Sequence, residues 1–199
     1  MRIGFGAPVA GAWATPGYLA EFAERGEEYL AALRALWADG AGSFDGEFYT
    51  IPASRQDPRP VQRPGPPILL GGMSGPAMRR AGRLADGWIT SSFADLSAIG
   101  EAVGVIRAAA SAAGRDPDAV RIICRGVTLA GAEVKGPDGG RRLLSGSFEQ
   151  IRSDTEWLAG QGVTEVFYDL NWDPQVGNPA VTPAAAAERA GEILAALAP

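Results

Sequence analysis

The chain has 199 residues, a mass of 20.7 kDa, 46% hydrophobic and 21% charged residues, the composition of a soluble globular protein with one core. Its zero histidines exclude a Ser-His-Asp triad, a Cys-His pair, a HExxH zinc site and a histidine general base, and the lone Cys124 excludes an intrachain disulfide and a cysteine-rich metal site. The net charge of -5 argues against a nucleic-acid binder, and no apolar run approaches the roughly 20 residues that cross a bilayer, so the expectation is a cytoplasmic protein without metal, nucleic-acid or membrane partners.

The elements follow in chain order. Ile3, Phe5 and Ala7 alternate against Arg2, Gly4 and Gly6, which reads as a strand. Thr15-Pro16 is an N-cap signal, and Leu19, Phe22, Tyr29, Leu30, Leu33, Leu36 and Trp37 keep helical spacing up to Gly40. Phe44 to Tyr49 reads as a small hairpin or tight turn, since Asp45-Gly46 supplies the positive φ that a type I′ turn needs. Six prolines between Pro52 and Pro67 predict an extended connection, after which Ile68-Leu69-Leu70 forms a buried strand that Gly71-Gly72 ends. Gly75-Pro76 opens a helix through Leu84, and Asp86 to Thr90 reads as the next strand. Leu96, Ile99, Val103, Ile106 and Ala110 predict a helix ending at Gly114, followed by a strand from Val120 to about Leu129 and a loop over Lys135 to Gly140. Ser147 and Gln150 fit a capping box for a helix carrying Phe148, Ile151, Thr155 and Leu158. A strand from Val163 to Leu170 and an Ala-rich helix after Thr182-Pro183 complete the chain.

About five strands alternate with five helices, so residues 1–199 read as a single α/β domain with parallel strands and right-handed crossovers. Eight-stranded barrels usually need about 250 residues. The rhythm by itself leaves an open sheet and a partial barrel as alternatives.

Gly71-Gly72-Met73-Ser74-Gly75 joins a strand to a helix start, where bare glycine backbone and free helix N–H groups suit a phosphate; the same residues also suit an ordinary tight turn. Between Ile51 and Leu84 six arginines face one Asp57, a local charge of +5 that leaves -10 for the rest. Arg79, Arg80 and Arg83 are favoured there as a solvated outer helix face over an anion patch. Arg125 lies inside a strand and requires either a salt-bridge partner or a ligand. Asp169, Asn171 and Trp172 stand at the end of the last strand, where barrel enzymes place functional groups and where turn chemistry also favours Asp and Asn. Trp88 and Cys124 read as core, and Asp86 as a strand-opening turn residue.

Four segments in order, Glu27 to Trp37, Phe44-Asp45-Gly46-Glu47-Phe48-Tyr49, Pro66-Pro67-Ile68-Leu69-Leu70-Gly71-Gly72 and Ala85-Asp86-Gly87-Trp88, resemble the luciferase-like monooxygenase family, in particular its branch using the deazaflavin coenzyme F-420. Arg2 to Phe5 and Glu165 to Leu170 resemble that family's first and last barrel strands. The resemblance implies an incomplete TIM-barrel-like fold in which Glu21 to Gly26 joins the first helix directly to the fourth, an apparent internal deletion of strands two to four, with a sheet in the order 5-6-7-8-1. It further implies a flavin- or deazaflavin-dependent oxidoreductase or monooxygenase acting on a small organic substrate, with coenzyme F-420 expected and FMN as the alternative. Gly71, Gly72, Ser74 and Gly75 are the expected coenzyme-phosphate residues. No catalytic residue is assigned, because the residues that surround the reactive ring in the family come largely from the missing strands. A non-catalytic coenzyme-binding or self-associating relative is the competing reading, and the open sheet edges of such a remnant imply a homodimer or higher oligomer.

Overall fold

A computed structural model describes residues 16–198, with side chains from 21 onward. The strand read at Met1 to Ala7 and the Thr15 cap lie outside the described residues. The chain divides into two compact units at Pro66 and Pro67.

In the first unit, helix α1 (Pro16–Trp37) is followed by Gly40 at φ +93° and by an antiparallel hairpin of β1 (Gly42–Asp45) and β2 (Thr50–Ser54). The hairpin is present as expected, but its turn is not the two-residue type I′. Gly46 N–H donates to the Tyr49 carbonyl at 3.0 Å across a longer loop, and Gly46 is not among the glycines with positive φ. The loop is organised by Glu28 of α1, whose carboxylate accepts from the amides of Glu47 (3.1 Å), Phe48 (2.8 Å) and Tyr49 (2.7 Å). A Cβ on Gly46 would collide with that carboxylate, so the glycine is required for close approach and not for its dihedral freedom.

The second unit holds a four-stranded parallel sheet in the order β3 (Leu69–Gly71), β4 (Gly87–Ile89), β5 (Arg121–Val127) and β8 (Glu165–Asp169). The crossovers carry α2 (Gly75–Leu84), α3 (Ile99–Ala112) and α4 (Phe148–Gly160), and α5 (Pro183–Leu197) ends the unit. Between β5 and α4 the chain makes a short parallel pair, β6 (Leu129–Ala130) with β7 (Ser145–Gly146), which the sequence reading did not anticipate. The sheet order matches the expected 5-6-7-8 portion of the barrel order.

Register decides what each sheet face carries, because laterally paired residues point the same way. Leu70, Trp88 and Ile122 are aligned, as are Cys124 with Val166 and Gly126 with Tyr168. That face packs on the helices: Trp88, Ile122 and Cys124 are fully buried with Ile99 and Ile106 of α3 and Ile151 and Leu158 of α4, and the Tyr168 hydroxyl lies 3.1 Å from Thr155 Oγ1. The opposite face carries Arg121, Ile123 and Arg125 beside Glu165, Phe167 and Asp169. Helix starts are built as their signals predict. Ser147 and Gln150 close both halves of a capping box, and the side chains of Ser74 and Thr182 accept from Ala77 N and Ala185 N. Among the described residues no helix is long and apolar enough to cross a membrane.

Candidate functional site

All four parallel strands end on the same edge of the sheet, and the loops that leave this edge carry most of the residues singled out in the sequence. The first is the glycine loop. Gly72 adopts φ +113°, and a Cβ there would sit 2.8 Å from the Ala77 Cβ, so a side chain is opposed both by backbone strain and by contact. The buried indole of Trp88 donates Nε1–H to the Gly72 carbonyl at 2.9 Å. In a planar trans peptide C=O and N–H point in opposite directions, so this bond turns the Met73 amide away from the indole. Among the described residues the N–H groups of Met73 and Ser74 have no acceptor, and they stand just before the N-terminus of α2. The exposed loop therefore offers unengaged donors and a helix dipole to an anion.

Arg79 belongs with this loop. Helical side chains lean toward the N-terminus, and its Nη1 lies 3.1 Å from where a Cβ on Gly75 would stand. Arg79 is exposed, as expected of a solvated outer face, and its guanidinium also reaches back toward Gly75. Arg79, Arg80 and Arg83 together line a shallow cleft with Ala109 and Ala112 of α3.

The second group centres on Asp169, 1% exposed at the end of β8. Its Oδ2 accepts from Ser92 Oγ (2.6 Å) and from Arg125 Nε and Nη2 (3.1 and 3.0 Å), while Oδ1 accepts from Asn171 N and Nδ2 (3.1 and 2.7 Å). Burial by itself raises the pKa of this carboxyl, but the bonds from Ser92, Asn171 and Arg125 outweigh it and hold the group below the usual carboxylate range. With five donors on two oxygens, Asp169 is a saturated anion that positions its neighbours; it has no free site to act as a general base. The partner that Arg125 required is therefore Asp169, and its guanidinium also lies 5.4 Å from the centroid of Phe167. Thr90 hydroxyl bonds to both the amide and the carbonyl of Arg125 (2.8 and 2.7 Å) lock β4 to β5 at the same level.

Sequence reasoning missed Ser92, Phe93 and Arg142 here. Phe93 meets Trp172 edge-on at 4.8 Å between centroids, and Phe93, Trp172 and Phe167 remain 63%, 54% and 46% exposed. The Arg142 guanidinium lies 6.0 Å from the Phe93 ring and donates to the Ser92 carbonyl at 3.3 Å. Isolated Ser and Phe residues carry no motif, so only the strand-end rule pointed toward this region. Cys124 is core as expected, and burial pushes its thiol up to about 12, which removes it as a nucleophile at neutral pH. Asp86 accepts from the Ile68 amide at 2.7 Å and so joins the starts of β3 and β4. No group of three potential metal ligands occurs among the described residues.

Comparison with known proteins bears on the family and the fold. Residues 4–134 match the family model for luciferase-like monooxygenases. An FMNH2-dependent dimethylsulfone monooxygenase of Pseudomonas putida is 38% identical over 90 residues, 45% of this chain and 24% of that protein. In solved structures, the coenzyme F420 dependent tetrahydromethanopterin reductase from Methanopyrus kandleri aligns over 86% of this chain and 60% of its own, with TM-score 0.60 and 15% identity. An F420-dependent secondary alcohol dehydrogenase aligns over 96% of this chain and 66% of its own, with TM-score 0.63 and 16% identity. The chain thus spans about a quarter of that curated relative and about 60 to 66% of those structural neighbours. The partial α/β fold is that of the luciferase-like TIM-barrel enzymes, and the chain belongs to the luciferase-like monooxygenase family.

Proposed function

We propose that the protein binds the phosphate of a flavin-type coenzyme at the loop from Gly71 to Gly75, with the deazaflavin coenzyme F-420 first and FMN as the alternative. The observation that carries this reading is the Trp88–Gly72 bond, which turns the Met73 amide away from the indole beside a glycine that tolerates no Cβ. Gly72 lets the backbone approach the anion, the amides of Met73 and Ser74 donate to it, Gly75 keeps the helix start open, and Arg79 adds a full positive charge. When bound, the coenzyme supplies the redox chemistry of its ring.

On this reading the fold holds the coenzyme but orients its ring poorly. The described parallel sheet has four strands, and the chain has no histidine to exchange protons near neutral pH. Asp169 is saturated, and the other polar groups at the strand ends, Ser92, Thr90 and Arg125, serve to hold the edge together. The function proposed is accordingly that of an oxidoreductase-family member acting on a small organic substrate with little or no turnover as an isolated chain. A non-catalytic coenzyme-binding relative that pairs with a second copy is favoured by the same features. Titration with deazaflavin and with FMN, comparing the wild type with Gly72→Val, tests the reading.

A further inference from the structure

The loops leaving β4 and β5 enclose a pocket of about 340 Å³, lined by Phe93, Leu96, Val127 and Leu143 on its apolar side and by Lys135 and Arg142 on its polar side. The two cations come from a finger over residues 134–142. Its strands meet at a Lys135–Arg141 bridge, Arg142 N donates to the Val134 carbonyl and Gly136 N to the Gly140 carbonyl, both at 2.7 Å. The finger is anchored from below. Arg141 makes a bidentate pair with the buried Asp154 (2.8 and 2.5 Å), which also accepts the Leu144 amide at 2.8 Å. Leu144 itself is fully buried at φ +64°, a left-handed conformation that a branched side chain keeps only when its surroundings impose it.

The charge on the pocket wall is unevenly committed. Asp95 accepts from Ser97 N and Oγ (3.0 and 2.8 Å), and Asp138 accepts from Gly140 N (3.0 Å); these bonds turn both carboxylates toward their own loops without removing their charge. Arg142 uses one donor on the Ser92 carbonyl, and among the described residues neither Arg142 nor Lys135 has an ion-pair partner. A half-buried guanidinium with free N–H groups, beside an aromatic and aliphatic wall, matches an acid with a compact apolar body.

We propose that this pocket binds a small organic anion, a carboxylate or sulfonate on an apolar body, with Arg142 and Lys135 gripping the acid and Phe93 and Leu143 covering the body. That this anion is the substrate rests on the coenzyme reading; that it binds does not. Calorimetric titration with benzoate and benzyl alcohol tests binding, and Trp172 emission, read against Trp172→Phe, reports its location because Trp172 touches Phe93. Benzoate is expected to bind at least tenfold more tightly than the alcohol. Arg142→Gln and Lys135→Gln are each expected to weaken benzoate, the first at least tenfold, while deazaflavin and FMN affinity stay at the wild-type value. Equal binding of acid and alcohol, or benzoate affinity unchanged in both variants, overturns the proposal. Inorganic phosphate displacing benzoate at equal concentration overturns the apolar part of it. Benzoate binding that survives when no coenzyme binds leaves this pocket standing and removes the coenzyme reading alone.

Discussion

Asp169 holds Ser92, Arg125 and Asn171 together only while it is ionised, so it links the strand-end region to pH. Its folded pKa lies below the ordinary carboxylate value of about 3.9, so its stabilisation is complete at neutral pH and is lost as pH falls through the folded value. Asp169→Asn keeps the shape but removes the charge from a buried site. With Arg125 partly exposed, the expected loss is about 2 to 3 kcal/mol at pH 7 in chemical unfolding. The difference between wild type and variant should shrink below about pH 4, and a constant difference down to pH 3 would remove the carboxylate from this role. The need of Arg125 for a partner was legible in its strand position. Which residue supplies it was not, because β5 and β8 are joined only through register, 44 residues apart. Arg79 combines two readings: it is exposed on the outer face its neighbours suggested, and the lean of helical side chains toward the N-terminus also brings it near Gly75. Arg79→Gln is expected to weaken coenzyme binding several-fold and to reduce its salt sensitivity; unchanged affinity at low salt would place Arg79 outside the site.

At the scale of elements, local signals were the most legible. N-caps at Ser147 and Thr182 stand where their signals lay, a Gln three residues on and a following proline, since the bonds they make are within one turn, whereas the Ser74 cap was not read. The hairpin after α1 shows the limit of such reading. Asp45-Gly46 marks the turn, yet its geometry is decided by Glu28, which lies 18 residues earlier and takes three loop amides at once. Glu28→Ala would leave those amides to water and is expected to speed hydrogen exchange at Phe48 and Tyr49 by at least tenfold, with a cost of about 2 kcal/mol to the hairpin. Unaltered exchange there would mean the turn stands on its own hydrogen bonds. The finger over 134–142 gave no sequence signal beyond Gly and Pro, because its anchor, Asp154, is a polar residue on the buried side of α4.

Across the whole molecule, strict β–α alternation made the parallel order of β3, β4, β5 and β8 legible, since crossovers of one hand leave few alternatives. Among the described residues β3 and β8 form the two edges of that sheet, and Phe167 stands exposed on the face away from the helices. The open edges of a partial barrel sheet, beside an exposed aromatic, favour association, so a homodimer or higher oligomer is expected, with an interface above about 2,000 Å² if obligate. Light scattering across a dilution series checks this, and a stable monomer at micromolar concentration contradicts it. Turnover with deazaflavin and a panel of enones and aldehydes is expected to stay far below about 1 per second, an ordinary enzyme rate. The most direct test of the account is fluorescence titration of the purified chain with deazaflavin and FMN beside Gly72→Val. Saturable binding by the wild type and at least tenfold weaker binding by the variant are expected; equal affinity in the two, or no binding by either, would contradict coenzyme binding at this loop.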